Sequence, residues 1–268
     1  MIETNLAILL LVGIFISIAT SYVGSFMVLK RMSLVGDALS HVALPGIAIA
    51  LMLHLSPMIG AFVALIIAVI GVWYFEKTST VYPEALVGIF FTTALAIGIL
   101  ITPEPDIFEA LFGSIEKISI LEGLVAVFLS LIIIYITYYV SKKLLLGTIS
   151  VGLAKSVNIS THKINFIYLI MVGAIVSLGV RFVGTLLMGA LVIIPAASAK
   201  NISRNIQEYY LWSILFGVIS SVVGILISAR IDLPTGPIVV LTSIAIFIFT
   251  YLIKNTCCKE RSSRGCNS

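Results

Sequence analysis

The chain has 268 residues, of which 60% are hydrophobic and only 10% charged, and its formal net charge is +4. A soluble domain is about one quarter charged, so this composition excludes a water-soluble globular protein, and it equally excludes a disordered chain or a disulfide scaffold. A polytopic membrane protein remains. Since a bilayer core of about 30 Å needs roughly 20 apolar residues per helical crossing, the chain has room for about nine crossings. The positive charge then reflects basic residues retained on the cytoplasmic side, and we expect no nucleic-acid partner.

Apolar runs bounded by polar, glycine or proline residues predict an all-α fold of nine membrane-spanning helices. In chain order the nine runs are 6–29, 39–53, 57–75, 85–101, 119–140, 164–180, 182–199, 209–228 and 237–253. The second run is short and is interrupted by Pro45 and Gly46. The boundary between the sixth and seventh runs depends on Arg181 and the nearby Gly184. No basic residue precedes the first run, which is too long for a signal-peptide core, so we expect it to remain as a spanning helix.

The distribution of basic residues predicts that the N-terminus lies outside the cell and the C-terminus in the cytoplasm, because cytoplasmic loops hold the excess of Lys and Arg. With nine crossings in this orientation, thirteen of the sixteen basic residues fall inside, and only Lys117, Arg181 and Arg230 fall outside. A miscounted helix in the middle of the chain would remove this asymmetry. The charge distribution therefore favours an odd number of crossings.

Residues 1–254 form one predicted membrane domain, followed by a polar cytoplasmic tail, 255–268, which we expect to be disordered. All three cysteines, Cys257, Cys258 and Cys266, lie in this tail. In the cytoplasm we expect reduced thiols, and the three residues lack the fourth ligand and the regular spacing of a zinc site.

Two connections and one helix carry features beyond simple linkage. The outer connection after run 85–101 is acidic, and its segment 107–112 is predicted to form a short interfacial helix; such a loop either attracts cations or a partner, or is simply solvated. The inner connection 141–163 contains a stretch of mixed apolar and polar residues, 148–157. This stretch predicts a short helix on the membrane surface, either with a functional role or as an anchor.

Small side chains predict close helix packing along one stripe of run 209–228. The stripe consists of Gly217, Ser221, Gly224 and Ser228.

Asp37 and His41 are the conspicuous polar pair, because His41 is the only histidine in the body of an apolar run. On a helix the spacing of four places the carboxylate and the imidazole on one face. This pair supplies half a coordination sphere, and a two-fold dimer would bring together two of each, enough for a four-coordinate divalent metal. The alternative is structural: Asp37 caps the helix and His41 bonds to a neighbouring helix. The spacing alone does not separate these two interpretations.

Signatures of enzymes are absent from the sequence. There is no Gly-Lys dipeptide, and hence no phosphate-binding loop of the Walker type. There is also no His-Glu pair for a zinc-protease helix. We therefore expect that the chain is not an enzyme and does not itself hydrolyse ATP by the Walker route.

Three segments, 33–46, 181–199 and 233–240, resemble the membrane permease subunit of ATP-binding-cassette importers for zinc, manganese or iron. The first reads SLVGDALSHVALPG, the second RFVGTLLMGALVIIPAASA and the third LPTGPIVV. The resemblance implies a type II importer-like permease in the plasma or inner membrane of a prokaryote. It also implies a homodimer, surrounded by lipid, that works with two cytoplasmic ATP-binding subunits and an extracytoplasmic metal-binding protein.

By the same resemblance, Asp37 and His41 match positions that bind the metal along the translocation path. The segment that docks on the ATPase matches Gly152, Leu153, Ala154 and Lys155, although Ser150 and Val151 stand where the family commonly has an acidic residue. The implied mechanism is alternating access. It needs no permanently bound cofactor, because ATP is bound by the partner subunit and the metal is the cargo.

The identity of that cargo and two rival functions stay open at this point. Mixed carboxylate and imidazole ligands accept both Zn²⁺ and Mn²⁺. Because a ligand histidine is deprotonated, we expect transport to weaken at low pH as His41 protonates. The rivals are an ATP-dependent permease for an organic cofactor or iron chelate, which needs no metal ligands, and a proton-coupled transporter, which needs no ATPase. Replacing both Asp37 and His41 separates a metal permease from a chelate permease.

Overall fold

A computed structural model of the chain describes residues 2–78, 83–102, 111, 120–158, 160–231 and 233–264. Over these ranges the backbone forms nine long helices and one short helix. They are α1 (Ile2–Leu29), α2 (Ser33–Met52), α3 (Pro57–Thr78), α4 (Pro83–Ile101), α5 (Ile120–Ile149), α6 (Val151–Ser156), α7 (Thr161–Val183), α8 (Thr185–Ile202), α9 (Ile206–Ile231) and α10 (Thr235–Arg264).

The nine long helices coincide with the nine predicted apolar runs, which confirms the prediction of an all-α membrane protein. Among the described residues, seven of them are long and apolar enough to cross a bilayer. The other two, α4 and α8, contain shorter apolar stretches, Ala85–Ile101 and Leu187–Ile202. The short helix α6 lies within the inner connection, in the stretch where a surface helix was expected.

The ends of several helices differ from the apolar runs. Helix α2 begins at Ser33, ahead of the predicted start at 39, so that Asp37 lies inside it. Helix α10 reaches Arg264, beyond residue 254, where the sequence places the end of the membrane domain. That domain boundary stays a prediction, and the acidic connection with its expected helix at 107–112 lies outside the described residues apart from Leu111.

Helix α1 lies at the centre of the bundle, where it packs against α5, α7, α8 and α9. Three of its polar side chains bond within the helix itself. Ser17 Oγ donates to the Gly13 carbonyl at 2.6 Å, Thr20 Oγ1 to the Ser17 carbonyl at 3.1 Å, and Ser25 Oγ to the Tyr22 carbonyl at 2.6 Å. These bonds satisfy hydroxyl groups that would otherwise be costly to bury.

The small-residue stripe of α9 allows close packing with two neighbours, as predicted. A methyl group on Gly217 would collide with Ser21 of α1, and one on Gly224 would lie 2.6 Å from Cα of Val239 in α10. Ser213 Oγ donates to the Ser21 carbonyl at 2.9 Å across the same contact. Small residues here let backbones approach closely, which is how helices associate inside a membrane.

A basic residue joins the end of α1 to the start of α7. Lys30 Nζ donates to Asn165 Oδ1 at 2.6 Å and lies 4.8 Å from the centre of the Tyr168 ring, a cation–π arrangement. Tyr168 in turn donates to the Val23 carbonyl at 3.1 Å. The C-terminal end of α1 and the N-terminal end of α7 therefore lie on the same side, which agrees with the prediction that both face the cytoplasm.

Candidate metal-binding site between α2 and α8

Helix α2 carries Asp37 and His41 one turn apart on one face, as their spacing predicts. The residue that caps the helix is Met32, and no side chain bonds at the cap, so Asp37 does not serve as the N-cap. The helix continues through Pro45 to Met52. Because proline has no N–H, the carbonyl of His41, four residues earlier, lacks its usual helical donor. The structure therefore gathers a carboxylate, an imidazole and a carbonyl without its usual helical donor within two turns.

The imidazole of His41 is enclosed by the protein but incompletely bonded. The residue is only 8% exposed, and among the described residues its Nδ1 atom has no hydrogen-bond partner. Its ring meets Phe91 of α4 edge-on, with 5.2 Å between centroids, and the carboxylate of Asp37 acts on it electrostatically. Buried polar atoms are nearly always paired, so an unpaired imidazole nitrogen beside a carboxylate favours a ligand role over the structural alternative.

Helix α8 lies directly against Asp37. A methyl group on Gly189 would lie 2.5 Å from Oδ1 of Asp37 and 2.8 Å from its Cα. Ser40, which is fully buried, extends this contact, because its Oγ lies 2.6 Å from the Asp37 carbonyl and 2.7 Å from the Thr185 carbonyl. The absence of a side chain at Gly189 thus brings the α8 backbone against the face of α2 that carries Asp37 and His41.

The break between α7 and α8 places the start of α8 at this contact. Gly184 separates the two helices with φ 85° and ψ 166°, a conformation that essentially only glycine adopts. Its N–H still bonds to the Val180 carbonyl at 2.8 Å, so α7 ends in an ordered way. The new helix begins at Thr185, whose carbonyl accepts a hydrogen bond from Ser40 of α2.

The site in one chain is incomplete as a metal site. Within the described residues there is no group of three or more His, Cys, Asp and Glu side chains that could hold an ion. Asp37 and His41 are therefore the two candidate ligands that a single chain offers here. Further ligands would come from a second copy, from hydroxyl or carbonyl oxygens, or from water.

The sequence reasoning missed Ser40, Thr185 and Gly189 as parts of this site. All three lie in the segments 33–46 and 181–199, which were singled out as family motifs. The sequence feature that could have indicated them is the presence of small polar residues and glycine in both segments. This feature does not predict that the two segments touch, because their contact depends on how α2 and α8 pack.

The predicted ATPase-docking segment coincides with helix α6. Ser150 caps this helix, because it accepts a bond from the Leu153 N–H at its Oγ and another from the Ala154 N–H at its carbonyl. Ala154 is fully buried, whereas Gly152 is exposed and Leu153 is 52% exposed. Lys155 lies in the same helix. The fold thus anchors α6 through Ala154 and leaves an apolar side chain, Leu153, available for contact.

Comparison with known proteins identifies one matching family, and two of the similar proteins are membrane proteins of metal transport systems. Residues 3–254 match the ABC 3 transport family. The chain is 32% identical over 247 residues to the high-affinity zinc uptake system membrane protein ZnuB of Haemophilus influenzae, covering 90% of this chain and 94% of that protein. It is 29% identical over 248 residues to the manganese import system permease protein ScaB of Streptococcus gordonii, covering 91% and 89%. The solved structure of PsaBC from Streptococcus pneumoniae in complex with Fab superposes with a TM-score of 0.80 at 28% identity, covering 90% of this chain and 89% of that chain.

Proposed function

Because the chain belongs to the ABC 3 transport family and is a multi-pass permease of the prokaryotic cell membrane, we propose that it carries Zn²⁺ or Mn²⁺ inward past Asp37 and His41. The observation that carries this proposal is the unpaired Nδ1 of His41, buried one turn from the Asp37 carboxylate. Ionisable groups inside a membrane are costly and are functional candidates by default. The zinc and manganese systems of the relatives support the choice of cargo.

Dimerisation completes the ion site in this proposal. One chain supplies one carboxylate and one imidazole, and a second copy related by a two-fold axis supplies the same pair. Two oxygen and two nitrogen ligands suit Zn²⁺ in tetrahedral geometry, and carboxylates with added water also suit Mn²⁺. The ligands hold the ion transiently, because a transporter has to release its cargo on the far side.

Energy and cargo capture come from partner subunits. The sequence has no Walker-type phosphate loop, so ATP is hydrolysed in two cytoplasmic ATP-binding subunits that dock on α6 through the segment 152–155. An extracytoplasmic binding protein delivers the metal to the outer face. Movement of α6, passed on to α5 and α7, then changes which side of the membrane Asp37 and His41 face.

The deciding experiment is uptake by the reconstituted complex. The permease, its ATPase subunit and the binding protein are placed in lipid vesicles, and radioactive zinc or manganese is supplied with and without ATP. We expect uptake only with ATP, and we expect Asp37→Asn and His41→Gln to abolish it. His54→Asn is the matched control, because His54 is an exposed histidine with φ 54° just after α2, and asparagine tolerates that backbone.

Two results would contradict the proposal. Uptake without nucleotide would point to a secondary transporter. Normal transport by the doubly substituted Asp37→Asn, His41→Gln protein would remove the metal ligands from the path and favour the chelate permease. The thermal stability of each variant, measured in detergent, separates a loss of transport from a loss of folding.

A further inference from the structure

The contact between α2 and α8 holds a second buried polar atom without a partner. Thr185 is 0% exposed, and its Oγ1 bonds to nothing among the described residues. Buried threonines elsewhere in the bundle bond to the carbonyl one turn before them, as Thr137 does to Ile133 and Thr102 does to Gly98. Thr185 is the first residue of α8, so the break at Gly184 removes that carbonyl from its helix. Its hydroxyl is therefore left unpaired by the same break that positions α8.

The packing of α2 against α8 indicates which part of α2 lies beside the Thr185 side chain. Thr185 and Gly189 lie one turn apart on the face of α8 that meets α2, where Gly189 lies against Asp37 and the Thr185 carbonyl against Ser40. Moving towards the start of α8 therefore means moving from Asp37 towards His41 along α2. Side chains on a helix lean towards its N-terminus. The Thr185 hydroxyl is thus expected to lie at the level of His41, whose Nδ1 is the other unpaired buried side-chain atom on these two helices among the described residues.

We propose that Thr185 is a third ion-binding residue of the transport path, and that its hydroxyl oxygen enters the coordination shell of a divalent cation passing between Asp37 and His41. The inference rests on the proposed function. It adds a ligand from α8, the helix that packs against the face of α2 with Asp37 and His41. A neutral oxygen ligand suits Mn²⁺ better than Zn²⁺, which prefers nitrogen and sulfur ligands. Thr185 therefore shifts the selectivity of the site towards the harder ion.

A purely structural role predicts the opposite behaviour on substitution. Valine has nearly the same shape as threonine but no hydroxyl, so Thr185→Val removes a buried group that has no bond to lose. If the hydroxyl only filled space, this change would be neutral or stabilising and would leave transport as it was. If the hydroxyl binds the ion, the change keeps the fold and alters ion selection.

The test compares Thr185→Val with Thr185→Ser and with Thr137→Val in the reconstituted complex. Thr137 is an equally buried threonine on α5, outside the contact between α2 and α8, and its hydroxyl bonds to its own helix. The readout is the concentration of Mn²⁺ that halves the uptake of radioactive zinc. For Thr185→Val we expect this concentration to rise by about tenfold or more, which is typical for losing a group that supports a metal site, with thermal stability unchanged or higher. Thr185→Ser should restore it, and Thr137→Val should leave it at the original value.

Each other outcome overturns the inference. An unchanged Mn²⁺ concentration in Thr185→Val shows that the hydroxyl does not touch the ion. A Thr185→Val protein that fails to fold while Thr185→Ser folds shows that the hydroxyl is a structural group. A failure of the proposed function gives a different result, because in that case the Asp37→Asn and His41→Gln variants still transport metal.

Discussion

A methyl group at Gly189 is expected to disable transport without changing either of the proposed ligands, Asp37 and His41. In Gly189→Ala the new Cβ would lie 2.5 Å from Oδ1 of Asp37 and 2.8 Å from its Cα and Cβ, whereas ordinary contact begins at 3.4 Å. Turning the Asp37 carboxylate away relieves only the first of these contacts. Because Cα belongs to the backbone, α2 and α8 have to separate by about 0.6 Å. The Ser40 contact to the Thr185 carbonyl, now 2.7 Å, lengthens by a similar amount.

The expected effect on stability is smaller than the effect on transport. Overpacking of a well-packed contact costs about 1–3 kcal/mol, and replacing glycine by alanine inside a helix returns up to about 1 kcal/mol. The protein should therefore still fold. An active group displaced by about 1 Å loses roughly a hundredfold in rate, so a shift of about half that size should reduce metal uptake by at least about tenfold.

The assay is ATP-dependent metal uptake, with thermal stability measured on the same preparations. Gly88→Ala in α4 is the matched control, because a methyl group there meets nothing within 4 Å. We expect this control to transport normally and to be at least as stable as the original protein. If Gly189→Ala also transports at the original rate, then the close approach of α8 to Asp37 is not needed for function, and the reasoning fails.

Three further predictions follow from other contacts. Gly184→Ala should destabilise the protein by about 1–3 kcal/mol, because φ 85° with ψ 166° strains any residue with a Cβ; a lower unfolding temperature in detergent checks this. Leu153→Asp should abolish co-purification with the ATPase subunit while leaving thermal stability unchanged, since this side chain is 52% exposed; retained binding would show that α6 docks elsewhere. Ser228→Ala should cost about 1 kcal/mol of stability, because Ser228 Oγ donates to the Leu233 carbonyl at 2.7 Å between α9 and α10; chemical denaturation measures it, and no change would mean that water replaces the bond.

The number and order of the helices were predictable because the bilayer imposes a minimum apolar length on each crossing. The spacing of Asp37 and His41 was predictable for a similar reason, since both lie on one helix with a fixed period. The break at Gly184 was visible as a glycine between two apolar runs. In each case a local rule relates the residues to the structure.

The remainder depends on contacts between distant parts of the chain. Asp37 meets Gly189, and Ser40 meets Thr185, across about 150 residues, and no local pattern identifies such pairs. The start of α2 at Ser33 was missed because hydropathy marks where residues become apolar, whereas a helix inside a bundle continues through Asp37 and Ser40 wherever neighbours accept their polar groups.

The central position of α1 bears on how the protein is made. This helix precedes its partners α8 and α9 in the chain and is therefore synthesised well before them. Ser17, Thr20 and Ser25 bond to carbonyls of α1 itself, so these three hydroxyl groups are satisfied before those partners are synthesised. A chain truncated after α5 should therefore still insert α1, and protease protection of its ends in membranes would reveal it. The internal bonding of these three hydroxyl groups therefore serves both the finished bundle and the stage of synthesis at which α8 and α9 are still missing.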